Sequence, residues 1–462
     1  MSDEPPTLLR SSAWCGEAAQ AETSAQSLAW GSTRNVPKGT VMLAPKKLDL
    51  ADWRDPRVGW GLVLPDSPDL DAADRASGGD APEAIRALLE ARGNAPVFRY
   101  RADLGEGKLR RYAPDGSAID LSARGERGLG PRAVPYYLLI CASPQEVPWS
   151  MQYRLQSDAF VGRLDLDAAG LERYVEALLG DWDGSPRDVS RPVVWAVDHG
   201  HPDITWLMRH SIAEQLRKRF EGDADFDVRE GVHCDAAATN ATLRTTLAER
   251  RPAFVATSSH GAILPLDDGE RMLTRLGLPV DHDHTLLDAG ALTSEWTGHG
   301  AIWYAHACCS AGCDSTSRFS GIVDSDTSLG RTLTALEHAG ASTAPLPRAL
   351  LGGRNPLGAF IGHVEPTFDW TLRDPTNGQV TTHHIVNALY SQLHLESRPP
   401  VGYAMRVYFS AIAGLLLDYF TASDALHLPN GRERTLRAKL LAFDRMSMVV
   451  LGDPTVRLPP SA

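Results

Sequence analysis

PAFVATSSHG, residues 252–261, is the stretch that decides the fold. Between Pro252 and Gly261 it is a short apolar run without helical spacing, the pattern of a strand covered on both faces. GAIWYAHACCSAG (300–312) has the same design and runs into Cys308 and Cys309. Working outward, PVVWAVD (192–198) and LGAFIGHV (357–364) are two more such strands. The segments between them have helical spacing: ITWLMRHSIAEQLRKRF (204–220), TNATLRTTLAE (239–249) with Thr239 or Asn240 as N-cap, and SLGRTLTALEHAG (328–340), which closes on Gly340. Strands alternating with helices predict an α/β domain with a largely parallel sheet. In such sheets chemistry collects on the loops after the carboxyl ends of strands. Three places qualify: Asp198 to Asp203, Ser259 to Gly261, and Cys308 to Gly312.

Upstream of residue 191 the elements are sparser. Residues 1–50 are rich in Ser, Ala, Thr and Pro and suggest an arm or regulatory segment, and PDSPDLDAADRASGGDAP (65–82) suggests a loop. APEAIRALLEARG (81–93) and LDAAGLERYVEALLGDW (166–182) are amphipathic helices, and YYLLICA (136–142) is a strand. The expected division is residues 1–90 as an arm plus the start of a first subdomain, 91–190 as a smaller α/β subdomain, and 191–462 as a main domain with a helical C-terminal part.

Lys and Arg number 46 against 58 Asp and Glu, a formal charge of −12. That balance predicts no nucleic-acid and no membrane-surface partner, since both demand a basic face. The nearest basic cluster, LRKRF (216–220), is one end of a predicted helix. The N-terminus has acids and prolines where a signal peptide needs basic and then apolar residues, and VYFSAIAGLLLDYF (407–420) is expected to be a buried helix. The six cysteines are sparse and three crowd together, so no disulfide framework is expected and the compartment implied is the cytoplasm.

A thiol attacks as thiolate, and an imidazole close by both lowers its pKa and protonates the leaving amine. His260 and Cys309 follow two predicted strands and are about 50 residues apart, the separation of caspase-type enzymes. If those strands are neighbours, both side chains emerge at one edge. Gly261 would leave room for substrate, and Gly312 would permit a turn whose N–H groups face a developing oxyanion.

FVATSSHG (254–261) resembles the strand-then-His-Gly motif of the caspase-like (clan CD) peptidases, and IWYAHACCSAG (302–312) resembles their second motif, a strand ending in Cys-x-x-Gly. Cys309 to Gly312 fits that spacing, while Cys308 fits the Ala-Cys half of it. YYLLICASPQEVPW with SDAFVGRLDLD (157–167), and MVVLGDPTVRL (448–458), are similar to segments of the gingipain-like C25 branch. The resemblance runs, with gaps, from about 130 to 458. It implies a caspase/gingipain-like three-layer fold and a cysteine endopeptidase without a cofactor. It implies Asp198 as the acid supporting His260, and Asp203 as the acid that holds an Arg or Lys side chain at P1. An N-cap is the competing reading of Asp203. His199 and His201 would line the pocket or face solvent. The resemblance further implies protein substrates and a place in a bacterial stress or anti-phage pathway. Since an intracellular peptidase that is always active is dangerous, the enzyme is expected to be latent and switched on by a protein partner, a second-messenger-linked assembly or self-cleavage in a loop such as SARGERGLGPR (122–132).

Two rivals compete. His299, His306, Cys308, Cys309 and Cys313 are zinc-type residues within a short stretch, but lack paired C-x2-C spacing, so no metal is expected. DHDHTLLD (281–288) is expected to be a solvated loop. The second rival is a catalytically inactive caspase-like scaffold, against which the retention of both His260 and Cys309 argues.

Overall fold

The computed structural model describes residues 48–105, 107–296, 298–374 and 377–460, together with the backbone of 9–10 and 18–20. Two compact units divide the chain, Met1–Leu48 and Asp49–Ala462. In the first, Leu9–Arg10 pairs antiparallel with Ala18–Gln20; the rest of the arm expected over residues 1–50 lies almost wholly outside the described residues.

The second unit is mixed α/β, with two six-stranded sheets. The first sheet uses β1 (Trp60–Pro65), β2 (Val97–Tyr100), β3 (Lys108–Tyr112), β4 (Ala118–Ser122), β5 (Tyr137–Cys141) and β6 (Phe160–Leu164), in the order β4-β3-β2-β1-β5-β6. The apolar run before residue 65 is therefore a strand inside this sheet. The expected loop over 65–82 contains a short helix, Ala72–Ser77, because Asp71 caps its N-terminus and Gly78 closes it at φ 74°. The SARGERGLGPR loop exposes Arg124 and Arg132, while Arg127 is tied back to the Ala123 carbonyl.

The second sheet contains the four strands expected from the sequence and two that were not, Val232–Cys234 and Met448–Gly452. It comprises β7 (Val193–Ala196), β8 (Val232–Cys234), β9 (Phe254–Ser258), β10 (Ile302–His306), β11 (Ala359–His363) and β12 (Met448–Gly452), in the order β8-β7-β9-β10-β11-β12. All neighbours are parallel except β12, which runs antiparallel to β11. The chain turns to one side of β7 for β8 and to the other for β9, so a topological switch point lies between β7 and β9. Loops after strands diverge at such a point and leave a crevice.

The edges of the two sheets meet at β6 and β12. Helix α1 (Trp149–Gln156) supplies two buried glutamines to this seam: Gln152 donates to the Val450 carbonyl at 3.1 Å, and Gln156 to those of Met446 and Met448 at 2.9 Å each. A buried strand edge with unpaired carbonyls would be costly, and these amides take the place of a ladder. Asp453, directly after β12, is fully buried and accepts from Trp60 Nε1 at 3.1 Å, with Arg92 3.4 Å away.

Helix α2 (Val401–Asp424) departs from expectation. Its large buried side chains end at Ile412, with Ala422 buried beyond, and it pairs with helix α3 (Gly431–Ser447), leaving Leu417 65% and Phe420 59% exposed. By length and composition alone α2 is apolar enough to cross a membrane.

The seam predicts a contrast between two glycines. A Cβ on Gly162 of β6 would sit 2.0 Å from the Gly452 carbonyl oxygen, whereas one on Gly414 of α2 meets nothing within 4 Å. Gly162→Ala should destabilise by roughly 2–3 kcal/mol through overpacking, and Gly414→Ala should stabilise by roughly 0.5–1 kcal/mol through helix propensity. Denaturant unfolding of both variants checks this.

Candidate active site at the carboxyl edge of the second sheet

The parallel register of β9 and β10 sets Ser258 beside His306, so the residues after them leave the sheet together. His260 and Gly261 come off β9 and pair antiparallel with Val280 and Pro279. Cys308 and Cys309 come off β10. The two backbones touch: a Cβ on Gly261 would lie 1.9 Å from the Cys308 carbonyl oxygen. The space that the sequence assigned to an approaching substrate is filled by Cys308 itself, and only glycine fits there.

The carboxylate on His260 belongs to Asp203. Its Oδ2 lies 3.0 Å from His260 Nε2, and its Oδ1 accepts from the Thr205 N–H at 2.8 Å and the Thr205 hydroxyl at 2.5 Å. Asp203 is at once the N-cap of the helix starting at Ile204 and the partner of the histidine. Burial pushes its carboxyl upward, but the Thr205 and His260 hydrogen bonds outweigh that and hold it below the usual carboxylate range. Asp198 has a different neighbourhood: it accepts from the Gly200 N–H at 2.7 Å and stands 3.7 Å from Arg209. The carboxylate hydrogen-bonded to His260 is thus that of Asp203 and not that of Asp198, to which the resemblance gave this place.

A group of histidines surrounds this pair. His199 stacks nearly parallel on His260, with ring centroids 5.8 Å apart, and on His284 at 4.2 Å, with His282 at 5.9 Å. DHDHTLLD is a loop, exposed at Asp283, His284 and Thr285 as expected, but it is anchored at Asp281. Asp281 is buried, and its carboxylate accepts from the backbone N–H groups of Asn240, Asp283 and Thr285 at 2.8–3.0 Å. That turn carries His282 and His284 to the crevice. His201 packs edge-on against Trp206.

Both thiols lie under cover. Cys309 has φ 55° and is 0% exposed, in an apolar cluster with Met272, Leu276, Cys313 and Leu336. Above it folds the segment between Gly261 and Pro279, closed by hydrogen bonds from Ala262 N to Leu278 O and from Gly277 N to Ala262 O. Gly277, at φ 68°, lies directly on the Cys309 carbonyl, where a Cβ would be 2.1 Å away. Cys308 is half-buried, and its sulfur accepts from the Thr367 N–H at 3.5 Å. Burial raises the pKa of both thiols, that of Cys309 well above its ordinary value, and raises Cys313 to about 12. Among the described residues no hydrogen bond links either thiol to His260.

The turn after Cys309 is closed as well. The N–H of Cys309 donates to Glu365 O at 2.8 Å, that of Ala311 to His363 O at 2.8 Å, and that of Gly312 to Cys309 O at 3.1 Å. The expected oxyanion-facing donor at Gly312 is thus engaged. Glycine is needed there because a Cβ would meet the Ser342 carbonyl at 2.2 Å. Glu365, which no motif marked, holds this turn at φ 74° and is 1% exposed. Its Oε2 accepts from the Arg318 N–H at 3.3 Å, and burial raises its pKa to about 7 against the opposing hydrogen bond from Ser317. The five zinc-type residues at 299–313 do not gather around a point; among the described residues, the potential metal-ligand group is His199, Asp203 and His260.

No protein-family model and no curated protein matches this chain. Among solved structures it is similar to a chain in the crystal structure of the Saccharomyces cerevisiae separase–securin complex, at 12% identity and a TM-score of 0.34. That match covers 74% of this chain and only 16% of the other. A likeness so low carries no functional weight.

Glu365 sets a pH dependence. Its folded pKa of about 7 lies above the ordinary 4.5, so the folded state binds the extra proton between those values and loses stability as pH rises through them. Glu365→Gln removes that penalty. Relative to wild type, its melting temperature should be higher at pH 8 than at pH 5 by on the order of a few °C; equal offsets at both pH values would contradict the assignment.

Proposed function

We propose that this chain is a cysteine endopeptidase of caspase-like architecture in a latent conformation. His260 is its general base and Asp203 the acid that orients the base. Cys309 is the nucleophile by the Cys-x-x-Gly spacing, with Cys308 the alternative. The observation that carries this reading is the parallel pairing of β9 with β10, which brings Gly261 into contact with Cys308 at the switch-point edge of the sheet. A carboxylate hydrogen-bonded to one imidazole nitrogen fixes the tautomer and stabilises the imidazolium that forms when the base takes the thiol proton. That is the role Asp203 fits. The imidazolium would then protonate the leaving amine as the acyl–thiol bond forms, and water, deprotonated by the same ring, would release the acid.

Latency is a consequence of the cover. A thiol whose pKa is raised by burial holds little thiolate at neutral pH and attacks slowly. Activation therefore requires the segment between Gly261 and Pro279 to lift off Cys309, exposing the thiol to His260 and freeing N–H groups for the oxyanion. A protein partner, or cleavage of the chain, supplies such a displacement in this proposal. Preference for Arg or Lys at P1, the cytoplasmic setting and a place in bacterial stress or anti-phage defence rest on the gingipain-like resemblance alone, since Asp203 is engaged by His260.

The closed turn favours a second reading. With Cys309 buried, Cys308 half-buried and the N–H groups of Cys309, Ala311 and Gly312 satisfied by backbone carbonyls, the same geometry suits an inactive scaffold.

A fluorogenic panel with Arg, Lys, Asp and Asn at P1, run on intact and on partially proteolysed protein, separates the two. Cleavage should occur after Arg or Lys, appear or rise after nicking, and fall at least about a thousandfold in Cys309→Ala and His260→Ala; Asp203→Asn should lose about 10²–10⁴ in kcat. Iodoacetamide labelling read by mass spectrometry should be slow at Cys308 and Cys309 in the intact chain and fast at Cys309 after activation. No hydrolysis in either form, with both thiols still protected, favours the scaffold.

A further inference from the structure

We propose that His199, Asp203 and His260 form a zinc site, and that zinc bound there occupies the general base and holds the peptidase inactive. The inhibitory part rests on the function proposed above; the metal site itself does not.

The ligand atoms of the three residues all lie within 4.8 Å of one another. Two ligands about 2.0–2.1 Å from one zinc, at the tetrahedral angle, stand roughly 3.3 Å apart. His260 Nε2 and Asp203 Oδ2 are already at 3.0 Å, so a few tenths of an ångström separate the metal-free pair from a coordinating one. The ligand set of two imidazoles and a carboxylate is one that zinc favours, and it leaves a fourth position for water.

The surroundings hold these groups as metal ligands are usually held. Asp203 spends Oδ1 on Thr205 and turns Oδ2 to the centre. His199 Nε2 lies 3.3 Å from the Asp281 carbonyl, an acceptor, so that nitrogen carries the proton. The unprotonated nitrogen is then Nδ1, which is buried and has no hydrogen-bond partner among the described residues. A buried lone pair without a donor is what a cation would satisfy. His284 stacks on His199 and the buried Asp281 turn fixes both, so the ring is set in orientation before any ion arrives.

With Asp203 on Nε2 the proton-accepting nitrogen of His260 is Nδ1, and zinc bound at Nε2 would leave the neutral ring's proton on Nδ1, so that it could not take one from a thiol. The ion links the loop after β7 to the loop after β9, across the switch-point crevice.

Metal-stripped full-length protein is titrated with CoCl2, read by visible absorption, and with ZnCl2 against a chromogenic chelator. Expected are one ion per chain, the absorption of a four-coordinate cobalt site, and affinity lowered at least about tenfold in His199→Gln and Asp203→Asn. A double Cys308→Ser, Cys309→Ser variant should bind as wild type does. Far-ultraviolet circular dichroism confirms that each variant is folded, and His199→Ala serves as the second variant at that position. Unchanged affinity in folded His199→Gln and His199→Ala, or binding lost with the cysteines, overturns the site. Where peptide hydrolysis is measurable, one equivalent of zinc should suppress it in wild type, with at least about tenfold more needed in His199→Gln; hydrolysis that rises with zinc overturns the inhibitory role. If no peptide is cleaved, the metal titration still decides the site.

Discussion

Backbone contact between Gly261 and Cys308 is the constraint on which the rest of the site depends. Parallel neighbours in one register release their chains at the same height of the sheet, and β9 and β10 are such neighbours. Without a Cβ at 261, the His260 loop closes down onto the turn after β10. Everything nearby answers to that closeness. Gly277 seals the far side of Cys309, Glu365 pins its N–H, and Gly312 lets the backbone pass Ser342.

The same closeness makes the site quiet. The imidazole is half-exposed in a polar crevice with Asp203 and three further histidines, while Cys309 sits in the apolar cluster of Met272, Leu276 and Leu336. Desolvation disfavours a thiolate, and a neighbouring carboxylate favours an imidazolium. The two halves of the proposed dyad are thus held in opposite electrostatic surroundings, and in the proposed mechanism lifting the cover off Cys309 unites them. A metal ion between the loops after β7 and β9 would reinforce that separation on the histidine side.

The seam between the sheets explains the reach of the fold beyond the site. Gln152, Gln156 and Asp453 satisfy an edge that would otherwise be a buried row of unpaired groups. The last strand of the chain is therefore locked between β11 and the first sheet. The segments at 136–167 and 448–458, far apart in sequence, are in contact at this seam through Gly162 and Gly452.

The strands β7, β9, β10 and β11, and the placement of His260, Gly261, Cys308 and Cys309 just after β9 and β10, were legible in the sequence, because apolar runs report strands and strand ends directly; β8 and β12 were not. Asp203 was legible as a helix N-cap, but its partner was not, since pairing with a histidine 57 positions away depends on which strands are neighbours. His199 and His284 meet for the same reason, and nothing local marks it. Glu365 carried no sequence signal at all: its burial and φ are set by the turn it closes. The direction in which each thiol points, and hence a covered rather than open site, was decided by tertiary packing alone, because Cys308 and Cys309 are adjacent in a tight turn that sends successive side chains to different faces. Local pattern determined which residues could do chemistry; long-range backbone contact decided which of them face one another.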